Sequence, residues 1–192
     1  MSITGIVLAG GKGTRMGGAN KGLLEFHGRP MVAHVLHRLA PQVDELMINA
    51  NREIERYRQM GYPVIQDEIS GFAGPLAGLH AGMQHAQHPY ILTVPCDSPL
   101  LPSNLAKRLI NALIERDADI AIAKTGTQAH PVFSLCRKAL LPKLELFLER
   151  GERKMTEWIA ELDSIEVSFT DQAPAFTNIN TPEELRILEQ AA

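Results

Sequence analysis

The chain has 192 residues, of which 45% are hydrophobic and 21% charged, with a formal net charge of −3. That balance suits one globular unit with a sizeable core. It argues against a duplex nucleic-acid binder, which carries a basic excess over a face. No apolar stretch approaches the ~20 residues that span a bilayer. The start "MSITGIVLAGG" lacks the basic region of a secretory signal. Cys96 and Cys136 form neither a disulfide framework nor a zinc pattern, so the expectation is a reducing, cytoplasmic setting with no membrane partner.

In chain order, residues 3–9 read as a buried strand that empties into the glycine-rich stretch "LAGGKGTRMGGANKG". "LLEFHGRPM" reads as an extended piece turning at His27-Gly28. Pro30 opens a helix with Met31, Val35, Leu36 and Leu39 at helical spacing. Residues 45–50 predict a second strand, 51–61 a charged helix stopped by Gly61, and 62–67 a short strand ending in Asp67. A small-residue helix follows in 74–86, and "YILTVPCD" predicts an apolar strand ending at Asp97. This βαβ alternation predicts an α/β fold, three αβα layers around a mostly parallel sheet.

Beyond residue 100 the pattern is more mixed. An amphipathic helix (101–116) precedes strands at 119–124 and 130–136, helices at 138–151 and 154–162, and a strand at 164–169. The last helix, "NTPEELRILEQ", has Thr181 as N-cap, Pro182 in its first turn and Glu184 three residues after the cap. With no repeat and no dividing linker, the expectation is one domain over 1–192.

The stretch from Leu8 to Gly22 holds six glycines, two lysines and one arginine. Glycines after a parallel strand let successive backbone N–H groups turn toward one anion. Lys12, Arg15 and Lys21 add charge, Arg15 as a planar fork and Lys21 as a point charge. Together they describe a triphosphate pocket. Neither the Walker A pattern nor GxGxxG fits, since Gly11-Lys12-Gly13 runs on to Thr14, Arg15 and Met16. A basic surface loop is the plainer alternative. Asp97, at the end of an apolar strand, suits Mg²⁺, which takes one or two carboxylates plus phosphate and water. It equally suits a cap of the turn "DSPL". Asp67 could be a strand-end turn residue, and Asn51 a helix cap.

"LAGGKGTRMGGANKGLLEFHGRPM" resembles the LxGGxxxRMGxxK signature of the GT-A-like nucleotidylyltransferases. The likeness runs on through "INANR", "VIQDE", "GPLAGL", "PCDSPL", "HPVFSL", "GERK" and "NINTPEEL", in order and over nearly the whole chain. With "GPLAG" and "NINTPEEL" it is most similar to the molybdenum cofactor guanylyltransferase family.

That resemblance implies a Rossmann-like fold of the nucleotide-diphospho-sugar transferase type. Residues 1–100 would bind nucleotide and 101–192 the acceptor. It implies transfer of GMP from GTP to the terminal phosphate of molybdopterin, with release of pyrophosphate. It assigns Leu8, Ala9, Gly10, Gly11, Lys21, Asn49, Asp67 and Asp97 to GTP. Arg15, Lys21 and Asp97 would be the catalytic set, and Asp97 the ligand of Mg²⁺, or of Mn²⁺ in its place. Asn178, Asn180 and Arg153 would meet the acceptor. Molybdenum-inserting proteins and molybdoenzyme apoproteins are the implied partners. A cytidylyltransferase, a sugar- or polyol-phosphate nucleotidylyltransferase and a non-catalytic GTP-binding module stay open as alternatives. His34/His37 and His85/His88 lack further ligands and read as surface pairs. Cys96 reads as core filler, and His130 as either structural or substrate-orienting.

Overall fold

The structure is a computed structural model that describes residues 1–11, 20–69, 74–177, 179 and 182–191. The chain opens with β1 (Ile3–Leu8), a two-strand hairpin of β2 (Glu25–Phe26) and β3 (Arg29–Pro30), and α1 (Met31–Leu39). Next come β4 (Glu45–Asn49), α2 (Ile54–Arg58), β5 (Val64–Ile65), α3 (Pro75–His85) and β6 (Tyr90–Pro95). The remainder is α4 (Leu105–Glu115), β7 (Ile120–Thr125), β8 (Gln128–Arg137), α5 (Leu141–Glu149), α6 (Met155–Ala160), β9 (Ser164–Ser168) and α7 (Pro182–Ala191). Thr181, the expected cap of α7, lies outside the described residues.

Seven strands form one sheet in the order β5-β4-β1-β6-β8-β7-β9. β5, β4, β1 and β6 are mutually parallel, and β7 is parallel to β9. β8 runs antiparallel between β6 and β7, the mixed part expected beyond residue 100. Strand side chains alternate between two cores, as a pleat requires. Val7, Ile48, Leu92, Ala121 and Leu135 face α1 and α4. Ile6, Met47, Ile91, Ile120 and Cys136 face α3, α5 and α6, where Trp158 is buried. The three-layer αβα reading therefore holds.

Several local devices were foreshadowed. His27 and Gly28 take positive φ (48° and 72°), the two-residue turn that matches hairpin twist. Gly61 ends the turn after α2 at φ 83°, donating its N–H to Arg58 O. Other boundaries move. The charged helix shortens to five residues, because Glu53 enters a left-handed conformation (φ 49°) before it. The 62–67 strand shrinks to two paired residues. A 3-10 segment, Thr170–Phe176, lies where no element was expected. Register slips between β7 and β8: Ile122 pairs with Ser134, but Ala123 pairs with His130. Pro131, which has no N–H for a ladder, sits in the excursion.

α3 lies close against the sheet. A Cβ built on Gly82 would stand 1.9 Å from Cδ1 of Ile6, which is fully buried. Gly82→Ala gains helix propensity of up to ~1 kcal/mol, but overpacking a full core costs about 1–3 kcal/mol. We expect a net loss of stability in urea denaturation. Ile6→Val deletes the clashing Cδ1 and alone costs about 0.5–1.5 kcal/mol. The double variant should be less destabilised than the sum of the singles; simple additivity would show that this contact is not the constraint.

Candidate active site

β1, β4 and β6 end level with one another: Leu8 pairs with Asn49 on one side and Pro95 on the other. Three chain exits thus meet at one sheet edge, Ala9-Gly10-Gly11 after β1, Asn49 on β4, and Cys96-Asp97 after β6. They border a cavity of about 540 Å³, closed further by Asn20, Lys21, Asp67, Gly74, Pro75 and Val132. Ala9 N–H donates to Asn49 O (2.8 Å) and Cys96 N–H to Leu8 O (3.2 Å), continuing the ladder into the loops.

At one end of the cavity, Asp67 is gripped by two amides. Asn49 Nδ2 donates to Asp67 Oδ1 and Asn51 Nδ2 to Oδ2, each at 2.8 Å. Asp67 N–H returns a bond to Asn51 Oδ1 at 2.9 Å. Asn51 is therefore not a helix cap; it fixes the carboxylate. Gly10 and Gly78 keep space around Asn49. A Cβ on Gly10 would lie 3.0 Å, and one on Gly78 2.4 Å, from Asn49 Oδ1.

At the other end stands Asp97. Its side chain is only 13% exposed, and Lys21 Nζ lies 3.6 Å from Oδ2, too far for a full hydrogen bond. Burial pushes the carboxyl above its usual range, and the Lys21 charge only partly opposes this. The main chain here is held too, since Ile179 N–H donates to Asp97 O at 3.3 Å. A buried carboxylate whose desolvation is only partly offset is a fitting place for a cation. No cluster of three metal-ligating side chains occurs among the described residues. A single carboxylate still fits a hard divalent ion that keeps most of its shell as water and phosphate oxygens.

Lys21 sits in a short 3-10 turn, Lys21–Leu23. Tyr57 of α2, fully buried, donates its hydroxyl to Asn20 Oδ1 at 2.6 Å. Burial raises both the Tyr57 phenol and the Cys96 thiol, so both stay neutral.

The structure thus brings together Leu8, Ala9, Gly10, Gly11, Lys21, Asn49, Asp67 and Asp97 around one cavity. Arg15, Lys12, Asn178 and Asn180 lie outside the described residues. Arg153 does not line the cavity; its guanidinium donates to Leu148 O and Glu152 O, both at 2.7 Å. His130 bonds Thr125 Oγ1 through Nε2 (2.7 Å) and stacks on Phe176. Sequence reasoning gave no role to Asn20, Tyr57 or Val132. Nothing in a local pattern marks a helix tyrosine as a neighbour of a loop 37 positions earlier.

Comparison with known proteins shows the family. Residues 5–165 match the family described as the MobA-like NTP transferase domain. The molybdenum cofactor guanylyltransferase of Ralstonia nicotianae is 49% identical over 197 aligned residues, covering 98% of this chain and 96% of that protein. The one from Shewanella loihica is 45% identical over 189, again covering 98% and 96%. The solved molybdopterin-guanine dinucleotide biosynthesis protein A of Archaeoglobus fulgidus superposes with a TM-score of 0.81 at 22% identity, covering 98% and 97% of the two chains. No described helix is long and apolar enough to cross a membrane. Matched by that family over most of its length and by those relatives nearly end to end, the chain belongs to the MobA-like NTP transferases.

Proposed function

We propose that this chain transfers GMP from GTP to the terminal phosphate of molybdopterin and releases pyrophosphate. The observation that carries the reading is the pairing, at one end of the cavity, of a buried carboxylate with the lysine that follows the glycine-rich stretch of sequence. Asp97 and Lys21 supply it, 3.6 Å apart. The names of the two relatives at 45% and 49% identity support the nucleotide and the acceptor.

In this reading the nucleoside lies toward Asn49 and Asp67, whose amide and carboxylate hold each other, with Asn51 bracing the carboxylate. The polyphosphate lies along Gly10-Gly11, where backbone N–H groups reach it without a Cβ in the way; the Ala9 N–H is already given to Asn49 O. An acceptor phosphate oxygen attacks the α-phosphorus, and the bond from that phosphorus to the β-phosphate bridge oxygen breaks. The nucleophile is already an anion, so no general base is required. The difficulty is charge, because two anions must approach. The Lys21 ammonium offsets part of it at the phosphate end, and the burial of Asp97 keeps water from screening the interaction. Asp97 would hold Mg²⁺. When bound, that ion neutralises phosphate oxygens and orients the α-phosphorus. Positioning and electrostatics then account for the rate.

The reading is tested by incubating the chain with GTP, Mg²⁺ and molybdopterin and weighing the pterin product. A mass gain of one GMP is expected; pyrophosphate release from CTP but not GTP would transfer the chain to another nucleotide class. Asp97→Ala should lower turnover by about 10³-fold or more with the circular dichroism of the fold retained. Near-normal Mg²⁺-dependent turnover would remove Asp97 from the metal role. Lys21→Ala should weaken GTP binding about tenfold or more by calorimetric titration.

Asp97 also predicts a pH signature in the metal-free chain. Its folded pKa is raised, so the native state holds the proton longer than the unfolded chain does. Below about pH 4 both states are protonated and the burial penalty is absent. As pH rises, the unfolded chain ionises first, and native stability falls until Asp97 itself has ionised. Asp97→Asn lacks this loss. In urea melts with chelator present, the variant should be more stable than the parent at pH 7 and nearly equal to it below pH 4. A gap that does not depend on pH would sink the explanation.

A further inference from the structure

The hydroxyl of Tyr57 has a partner that ties the far side of the sheet edge to the candidate site. Tyr57 belongs to α2, is fully buried, and donates to Asn20 Oδ1 at 2.6 Å. Two residues on, the chain at Gly22 is pressed into a gap between α2 and the end of β6. A Cβ on Gly22 would lie 2.8 Å from Tyr57 Oη, 3.0 Å from Cys96 Sγ and 3.1 Å from Cys96 Cβ. Only glycine lets the turn sit this deep. Lys21 is the residue between these two contacts. The turn itself closes through Leu23 N–H to Asn20 O (3.0 Å) and Leu24 N–H to Lys21 O (3.1 Å). Asn20 and Lys21 both border the cavity, and Lys21 Nζ lies 3.6 Å from Asp97 Oδ2.

A lysine side chain has four rotatable carbons and gives up much freedom when its ammonium is held in one place. Fixing the backbone on both sides of it sets in advance where that side chain starts and leaves only its own torsions to be ordered. We propose that Tyr57 is a positioning residue for nucleotide binding: through its hydroxyl bond to Asn20 and its contact with Gly22, it sets the turn that presents the Lys21 ammonium to the polyphosphate. The proposal rests on the reading of this cavity as the GTP site. Tyr57 touches no substrate in it and acts through Lys21.

The test is a double-mutant cycle on the full chain, read by GTP titration and by pyrophosphate release with molybdopterin. Tyr57→Phe keeps the buried ring and removes only the hydroxyl. It should raise the dissociation constant for GTP about tenfold, the scale seen when a residue that orients a ligand-binding group is removed. Asn20→Ala, which removes the acceptor and leaves the tyrosine packing alone, should give a similar rise. In a Lys21→Ala background, Tyr57→Phe should change GTP affinity by less than about twofold, because the group it orients is gone. A full additional loss in that background would overturn the proposal. So would a Tyr57→Phe chain that is destabilised in urea yet binds GTP like the parent, since the hydroxyl would then serve the fold alone. Failure of the transferase reading looks different. A parent chain that binds GTP but releases no pyrophosphate would sink that reading, while the binding arm of the cycle would still decide the role of Tyr57. A parent chain that does not bind GTP would overturn both.

Discussion

The register of β1 between its neighbours is the constraint on which the site depends. Leu8 pairs with Asn49 and with Pro95, so three parallel strands stop at one level. Shifting either ladder by one residue would move Asn49 or Asp97 by a strand step and turn its side chain to the opposite face. The hydrophobic alternation prevents this. Val7, Ile48 and Leu92 on one face, with Ile6, Met47 and Ile91 on the other, would all be misplaced together. Core packing thus fixes where the chemistry-bearing groups emerge, in the crevice where parallel sheets commonly hold ligands.

Within that frame the two ends of the cavity are built on opposite principles. Asp67 is satisfied: both oxygens accept amide donors, and its own N–H is bound. Asp97 is ionised at a cost, because desolvation by burial outweighs what Lys21 at 3.6 Å and its own backbone N–H offset. A fully bonded carboxylate reads shape and polarity with little reorganisation. A desolvated one attracts whatever positive charge the ligand brings. The native chain accepts an electrostatic cost at Asp97 that the rest of the core offsets, a familiar arrangement at sites whose residues are chosen for chemistry.

Much of the layer architecture was legible because it depends on periodicity. The apolar runs at 3–9 and 90–97 and the helical spacing from Met31 to Leu39 are local signals, and the turns at His27-Gly28 and Gly61 have their own chemistry. The place of β8 was not legible, since an antiparallel insertion between β6 and β7 is set by pairing partners far apart in sequence. The two-residue β5 and the shortened α2 also escaped, because a left-handed Glu53 carries no compositional mark. At the site, the glycine stretch, Lys21 and Asp97 could be nominated from charge and position at strand ends. Asn51 and Tyr57 could not. Each matters through a bond spanning 16 and 37 positions respectively, which single-chain patterns do not encode. Asn51 also imitates a helix cap in composition, which hid its actual bond.

Trp158 has a practical consequence. It is the single tryptophan of the chain and lies buried on α6, in the core opposite α1 and α4. That helix contributes no lining residue to the cavity at the sheet edge. The tryptophan emission of the protein therefore comes from one buried indole whose helix does not border the cavity. It will report the integrity of that core, so fluorescence suits unfolding measurements here, with a single probe to interpret.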